Sequence, residues 1–207
     1  MKEFLTVLGE SENLIIISKS KFITYLKGVE SEEEAKEFVQ RIKKQNSLAT
    51  HNCYAYIADS EGLLQKFSDD GEPQGTAGLP MLEVLKAKNL RKTAVVVTRY
   101  FGGVKLGAGG LVRAYAGSVA EAVEKAKIVQ NAEGVLVEIV LNYEQYSKLN
   151  RFLEGKNVKI VDTFFDDDVK ITVAVKEEVF NLFLPSFNDY YSGKGTAKVL
   201  KRGYFSF

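Results

Sequence analysis

Asp69-Asp70-Gly71-Glu72-Pro73-Gln74-Gly75-Thr76-Ala77-Gly78-Leu79-Pro80 is followed by an apolar run, Ala94-Val95-Val96-Val97. Then comes Thr98-Arg99-Tyr100-Phe101-Gly102-Gly103-Val104-Lys105-Leu106-Gly107-Ala108-Gly109-Gly110-Leu111-Val112-Arg113-Ala114-Tyr115. Nine of the chain's 17 glycines lie between Gly71 and Gly117. The backbone here adopts conformations that other residues resist, or comes close to something else. Between Glu83 and Glu121 there is no carboxylate, but there are seven cations: Lys86, Lys88, Arg91, Lys92, Arg99, Lys105 and Arg113. A β-branched run feeding a glycine loop and then a helix builds an anion site, because glycines let backbone N–H groups turn toward a ligand and the helix adds the positive end of its dipole.

In this reading Arg99, Lys105 and Arg113 neutralise phosphates. The backbone of Gly102, Gly103, Gly107, Gly109 and Gly110 comes close to them, and Tyr100 and Phe101 stack on bases. No Gly-Lys-Ser/Thr follows at P-loop spacing, and Gly107-Ala108-Gly109 lacks the third glycine of the dinucleotide fingerprint. The plainer alternative is that the glycines serve tight helix-to-sheet packing and the cations are solvated.

Length admits one large domain or two small ones: the chain has 207 residues, 45% of them apolar. With 28 basic and 27 acidic residues the net charge is +1, so any anion-binding surface is local rather than global. The single cysteine, Cys53, excludes an intramolecular disulfide and a cysteine-rich zinc site. No apolar run approaches the ~20 residues of a membrane span, and Lys2, Glu3, Glu10 and Glu12 interrupt any signal-like start. The expectation is a reduced, cytoplasmic protein with no membrane partner.

Strands are expected at Phe4–Leu8, Leu14–Ile17, Phe22–Gly28, His51–Ala58, Leu63–Phe67 and around Ala94–Val97. Ser31 with Glu34 three residues on is a capping box for a helix to Gln45, its buried stripe being Ala35, Phe38, Val39 and Ile42. Pro80 suits a helix start, with the helix running to Lys88. The helix after the glycine loop is expected to bury Val112, Ala116, Val119, Val123 and Ala126 and to turn Arg113 outward.

Period-two alternation puts His51, Cys53, Ala55 and Ile57 on one strand face. His51 and Cys53 invite a nucleophile–base reading, and His51 with Asp69 or Asp70 a hydrolytic one. Against the former, a free cysteine is ordinarily buried core. Asp69, Asp70 and Glu72 are hard-cation ligand types, but their spacing is not that of a calcium loop and they suit turns equally well. No metal or cofactor is expected.

The two segments quoted above, with Thr50-His51-Asn52-Cys53-Tyr54-Ala55-Tyr56 as a third block, resemble the hallmark segments of the IMPACT/YigZ family. The resemblance spans Ser18 to Lys127, and the second half is similar to the accessory domain of bacterial members. Gln74 stands where a smaller residue is more usual. The resemblance implies an α+β chain. Its N-terminal domain (1–131) would be like the second domain of a small-subunit ribosomal protein and the fourth domain of elongation factor G. That fold occurs in ribosome- and RNA-associated proteins and in small-molecule kinases.

Asn131-Ala132-Glu133-Gly134 reads as the boundary. From 135 to 207 the pattern is strand Val135–Leu141, helix Tyr143–Leu153, strands Val158–Phe165 and Val169–Val175, helix Lys176–Tyr190 and strand Thr196–Leu200, the βαββαβ order of a ferredoxin-like domain. Asp166-Asp167-Asp168 reads as a solvated hairpin turn. Arg202-Gly203-Tyr204-Phe205-Ser206-Phe207 faintly echoes an RNA-stacking motif but is expected to fall after the last strand.

The expected function is non-enzymatic binding of RNA or the ribosome, with a role in translation regulation. Two alternatives stand beside it. One is an enzyme acting on a phosphorylated small molecule, or a hydrolase using His51 with Asp69 or Asp70; the other is an adaptor for a protein partner.

Overall fold

The computed structural model describes residues 3–207. The chain divides into two compact units, Phe4–Val129 and Gln130–Phe207, the latter including Glu3.

In the first unit β1 is Phe4–Val7, β2 Glu10–Ile17, β3 Ser20–Gly28, α1 Glu32–Gln45, β4 His51–Ile57, β5 Gln65–Ser68, α2 Gly78–Ala87, β6 Thr93–Tyr100 and α3 Gly107–Lys125. Five strands form an antiparallel sheet in the order β2-β3-β6-β4-β5. The all-apolar run Ala94–Val97 lies on the central strand β6, which is buried on both faces, as a run without alternation requires. One face, with Phe22, Leu26, Cys53, Ala55, Val95 and Val97, is covered by α2 and α3. The other, with Tyr56, Ala94 and Val96, is covered by α1.

α1 has the expected cap and stripe: Ser31 accepts from the Glu34 N–H at 3.2 Å, Glu34 accepts from the Glu30 N–H at 2.8 Å, and Ala35, Phe38, Val39 and Ile42 are buried. α2 starts two residues before Pro80, at Gly78. The Asp69 carboxylate accepts the N–H groups of Ala77 and Gly78 at 3.0 and 2.8 Å and so satisfies the first turn from a distant loop. α3 is rotated from its expected orientation. It buries Leu111, Ala114, Tyr115, Ser118, Val119, Ala122 and Val123, while Val112 is exposed. Leu111 and Tyr115 bring more area out of water than Val112 and Ala116, so the helix turns to favour them.

In the second unit β7 is Ile128–Leu141, α4 Tyr143–Tyr146, α5 Leu149–Leu153, β8 Val158–Phe165, β9 Val169–Lys176, α6 Glu177–Tyr190 and β10 Thr196–Ser206. The sheet order β10-β7-β9-β8 is antiparallel throughout, which places the first and third strands of the unit at its centre. Phe152, Phe180, Phe183, Phe187 and Tyr191 pack over Val135, Val137, Ile139, Ile171, Val173 and Val175 on one side of it.

Three expectations shift here. Asn131–Gly134 lies inside β7 rather than in a break. The helix expected over Tyr143–Leu153 is two short ones; Ser147 turns its hydroxyl back to the Glu144 carbonyl at 2.6 Å, and Lys148 bonds to Gln145 in the tighter three-residue pattern. Arg202–Ser206 belongs to β10, continued past a register shift between Val199 and Lys201, and its residues pair with β7 as far as Asn131.

Ser31→Ala removes the α1 cap and is expected to cost about 1 kcal/mol. Urea unfolding followed by far-UV circular dichroism checks this, with Ser31→Asp expected to retain the cap.

Candidate phosphate-binding site

β4 and β6 set the floor. On one face of the sheet Phe22, Arg99 and His51 are cross-strand neighbours in a single row. Tyr100, next along β6, points to the opposite face, where its hydroxyl donates to Asn46 Oδ1 at 3.1 Å; it has no access to the glycine loop's ligand side. Arg99 is buried, 5% exposed. Its Nη1 donates to Glu72 Oε1 at 2.6 Å, its Nη2 reaches Ser20 Oγ at 3.4 Å, and its guanidinium lies over the rings of Phe22 and Phe101 at 5.3 and 5.5 Å. Its buried Nε–H has no acceptor among the described residues. The expectation of Arg99 as a free, phosphate-facing cation is therefore corrected. Taking an arginine out of water requires a counter-charge, and Glu72 supplies it.

Glu72, which sequence reasoning takes for a turn carboxylate, is the residue at the centre. Its Oε1 also accepts from the Tyr115 hydroxyl at 2.8 Å, and its Oε2 lies 3.8 Å from His51 Nε2. Burial, with Cys53 and Glu72 close by, pushes the Tyr115 phenol far above its ordinary range, which keeps it a donor. His51 Nδ1 is 2.8 Å from the Asp70 carbonyl oxygen. A carbonyl only accepts, so Nδ1 carries the proton and the Nε2 side of the ring is turned toward Glu72.

Asp69 and Asp70 do not form a catalytic pair with His51. The Asp69 carboxylate accepts three backbone N–H groups, from Gly75, Ala77 and Gly78. Asp70 is bonded to Lys43 at 2.5 Å and to the Asn52 N–H at 2.7 Å. Cys53 is fully buried and donates its thiol proton to the Asp69 carbonyl at 2.9 Å; burial pushes the thiol up to about 12, so it is no nucleophile. The three loop carboxylates go to separate partners, and among the described residues no group of three His, Cys, Asp or Glu side chains is placed to hold a metal ion.

Above the floor lies a recess of about 450 Å³, walled by Thr50 and His51, by Glu72 and Pro73, by Arg99 and Phe101, and by Lys105, Leu106, Gly107, Ala108 and Leu111. The first turn of α3 opens into it. Leu106 in the N-cap position offers no side-chain acceptor, and the first turn holds no acid, so its N–H groups are unspent. Lys105 is exposed and has no ion-pair partner among the described residues.

The glycines have different duties. Gly103 and Gly107 sit at φ of +85° and +68°, in the left-handed region. Gly102 lies where a Cβ would be 2.0 Å from the Lys19 carbonyl, so it serves packing against the β2–β3 turn. Gly109 and Gly110 are on the first turn of α3, with Arg113 lying back over Gly109 on the exposed side of the helix, outside the residues that wall the recess. Phe101 is 46% exposed at the rim.

The fold and this recess define a class: a mixed α/β protein of two units, the first carrying a cationic glycine loop at a helix N-terminus. Residues 18–123 match the Impact N-terminal domain, and residues 139–194 match a domain of unknown function, DUF1949. The chain is 41% identical over 198 residues to the IMPACT family member YvyE of Bacillus subtilis, covering 96% of this chain and 91% of that one. It is 34% identical over 179 residues to the family member YigZ of Escherichia coli, covering 86% and 88%. A crystal structure of a hypothetical protein aligns over 97% of this chain and 98% of its own, with a TM-score of 0.63 and 30% identity. The chain belongs to the IMPACT family.

Arg99→Ala strands a buried carboxylate and is expected to cost about 3–5 kcal/mol, more than the paired replacement Arg99→Met with Glu72→Leu, which removes both charges. Chemical denaturation of the three proteins checks the order. Cys53 is expected to resist a thiol reagent at pH 8 in the folded protein and to react at once in urea, read by mass spectrometry.

Proposed function

We propose that the chain binds RNA or ribosomal phosphate through the recess at the N-terminus of α3, and acts in translation regulation by binding rather than turnover. The observation that carries this reading is the unspent first turn of α3 beside unpaired Lys105, on a chain whose net charge is only +1. Lys105 and the helix N-terminus meet the phosphate, Arg113 on the outer side of the same helix meets the next part of the backbone, and Phe101 at the rim offers a ring for a base. Arg99 takes a supporting part, as a partly spent donor beneath the recess. The resemblance of the hallmark segments implies a likeness to elongation-factor and ribosomal-protein domains, which supports RNA as the phosphate's source.

Against the hydrolytic reading with Asp69 or Asp70 stands the commitment of both carboxylates to backbone and lysine partners. An interaction with a protein partner is compatible with this function but no particular surface in the recess argues for it.

Fluorescence polarisation of a labelled single-stranded RNA tests the proposal. Lys105→Ala is expected to weaken binding about three- to tenfold at low salt, and to flatten the slope of log K against log salt by about 0.7, the share of one phosphate contact. Lys198→Ala, in the second unit, is expected to leave both unchanged. A wild-type isotherm insensitive to salt overturns the reading.

A further inference from the structure

We propose that the protein pairs with a second copy of itself along β8, joining two second units into one continuous antiparallel sheet. The contact lies wholly in the second unit, uses no residue of the recess and is independent of the RNA reading.

β8 closes one side of the second sheet; among the described residues it pairs with β9 and with no strand beyond. Its outer row of backbone N–H and C=O groups is therefore open to another strand. Apolar side chains crowd the same edge. Val161 and Phe164 are 56% and 58% exposed, and Ile160 and Phe165 are exposed with them. Large side chains left in water in one contiguous run mark a surface that another chain covers. The other outer strands are defended against a copy of themselves. β10 carries Lys198, Lys201 and Arg202, and β2 carries Glu10 and Glu12, so each would meet its own sign; β5 has only four residues. β8 carries one charge of each sign, Lys159 and Asp162, and no proline.

Symmetry then selects the register. Opposed residues of antiparallel neighbours share a face, and a two-fold axis normal to the sheet carries each face onto itself. In an unbroken strand a residue can therefore stand opposite only the copy of one an even number of positions away. β8 is broken. Ile160 stands opposite Val173 and Asp162 opposite Thr172, which leaves Val161 as the extra residue of a bulge. Across the bulge the rule inverts, and residues an odd number apart share a face. Lys159 and Asp162, opposite Ala174 and Thr172, both lie on the face away from the helices, since Ile171, Val173 and Val175 take the helix side. An axis between Ile160 and Val161 places Lys159 opposite the partner's Asp162, and by symmetry Asp162 opposite the partner's Lys159. Ile160 meets the partner's Val161, and Val158 meets the partner's Thr163, both on the helix side.

The two charges are available for this. Lys159 donates to the Ser206 carbonyl and hydroxyl at 3.0 and 3.1 Å, and Asp162 Oδ1 accepts the Thr163 N–H at 2.8 Å, so among the described residues neither meets an opposite charge. Opposed residues have Cβ atoms about 4.5–5.5 Å apart, within reach of an ammonium and a carboxylate. An edge of eight residues makes a contact at the small end of specific interfaces, so association in the micromolar range is expected.

Sedimentation velocity on the nuclease-treated full chain, over the micromolar range, tests the proposal. The wild type is expected to pass from monomer to dimer. Lys159→Asp and Asp162→Lys each set like charges opposite at two symmetric places and are expected to weaken self-association about tenfold or more. Both side chains are exposed, and circular dichroism is expected to show the fold kept. Mixing the two variants restores opposite charges at both places, so the mixture is expected to form a heterodimer as tight as the wild-type dimer, read by energy transfer between labels. The double variant, Lys159→Asp with Asp162→Lys, is expected to dimerise as wild type does. A wild type that stays monomeric throughout overturns the proposal. So does a dimer indifferent to both single substitutions, or a mixture no tighter than either variant alone, since each assigns any association to another face.

Discussion

A buried ion pair organises the first unit. Arg99 comes from the central strand, Glu72 from the loop before α2, and Tyr115 from the third turn of α3. An arginine at this depth is tolerable only with its carboxylate in place, and the carboxylate only with its donors. The pair therefore ties together three segments that are far apart in sequence, separated by 27 residues in one link and 43 in the other. Replacing the charges by apolar groups of similar volume need not weaken the fold. The pair is better understood as a positional constraint: it holds the Glu72 loop and α3 at fixed places on either side of the recess, with His51 beside them.

Much of this is legible in the sequence and some is not. The capping box at Ser31 and the α1 stripe are local, three- and four-residue patterns, and they appear as read. The same is true of the strand face shared by Cys53, Ala55 and Ile57, and of the βαββαβ order in the second unit. Non-local bonds account for the misses. α2 begins before Pro80 because Asp69, eight and nine residues upstream of the amides it accepts, caps it. α3 rotates because Tyr115 answers to Glu72, which no helical periodicity in α3 can report. Arg99 reads as a surface cation since its neighbours in sequence include no acid; its partner lies in the hallmark segment before α2. One signal is available, since a cation on a strand as apolar as Thr93–Thr98 needs a counter-charge from elsewhere in the chain.

The glycine loop separates into residues that shape it and residues whose backbone stays open at the start of α3. Gly102 exists for the β2–β3 turn and Gly103 and Gly107 for backbone handedness, while the amides that open α3 carry no side-chain cap. A composition count groups these nine glycines together, but only the structure distinguishes a steric need from a functional one. The same distinction applies to the cations, where Arg99 is committed, Lys105 is free and Arg113 faces outward.

Ser20 sits at the end of the β2–β3 turn, and its hydroxyl lies 3.2 Å from the Gly102 N–H and 3.4 Å from Arg99 Nη2. Phe101, the residue before Gly102, donates its own N–H to Thr50 Oγ1 at 3.1 Å. The glycine loop is thus pinned from two neighbouring segments before any ligand arrives, and little conformational freedom is left to surrender on association. A ligand that bound at such a mouth would do so in a single encounter step, its observed rate rising in proportion to concentration with no plateau from a slow rearrangement.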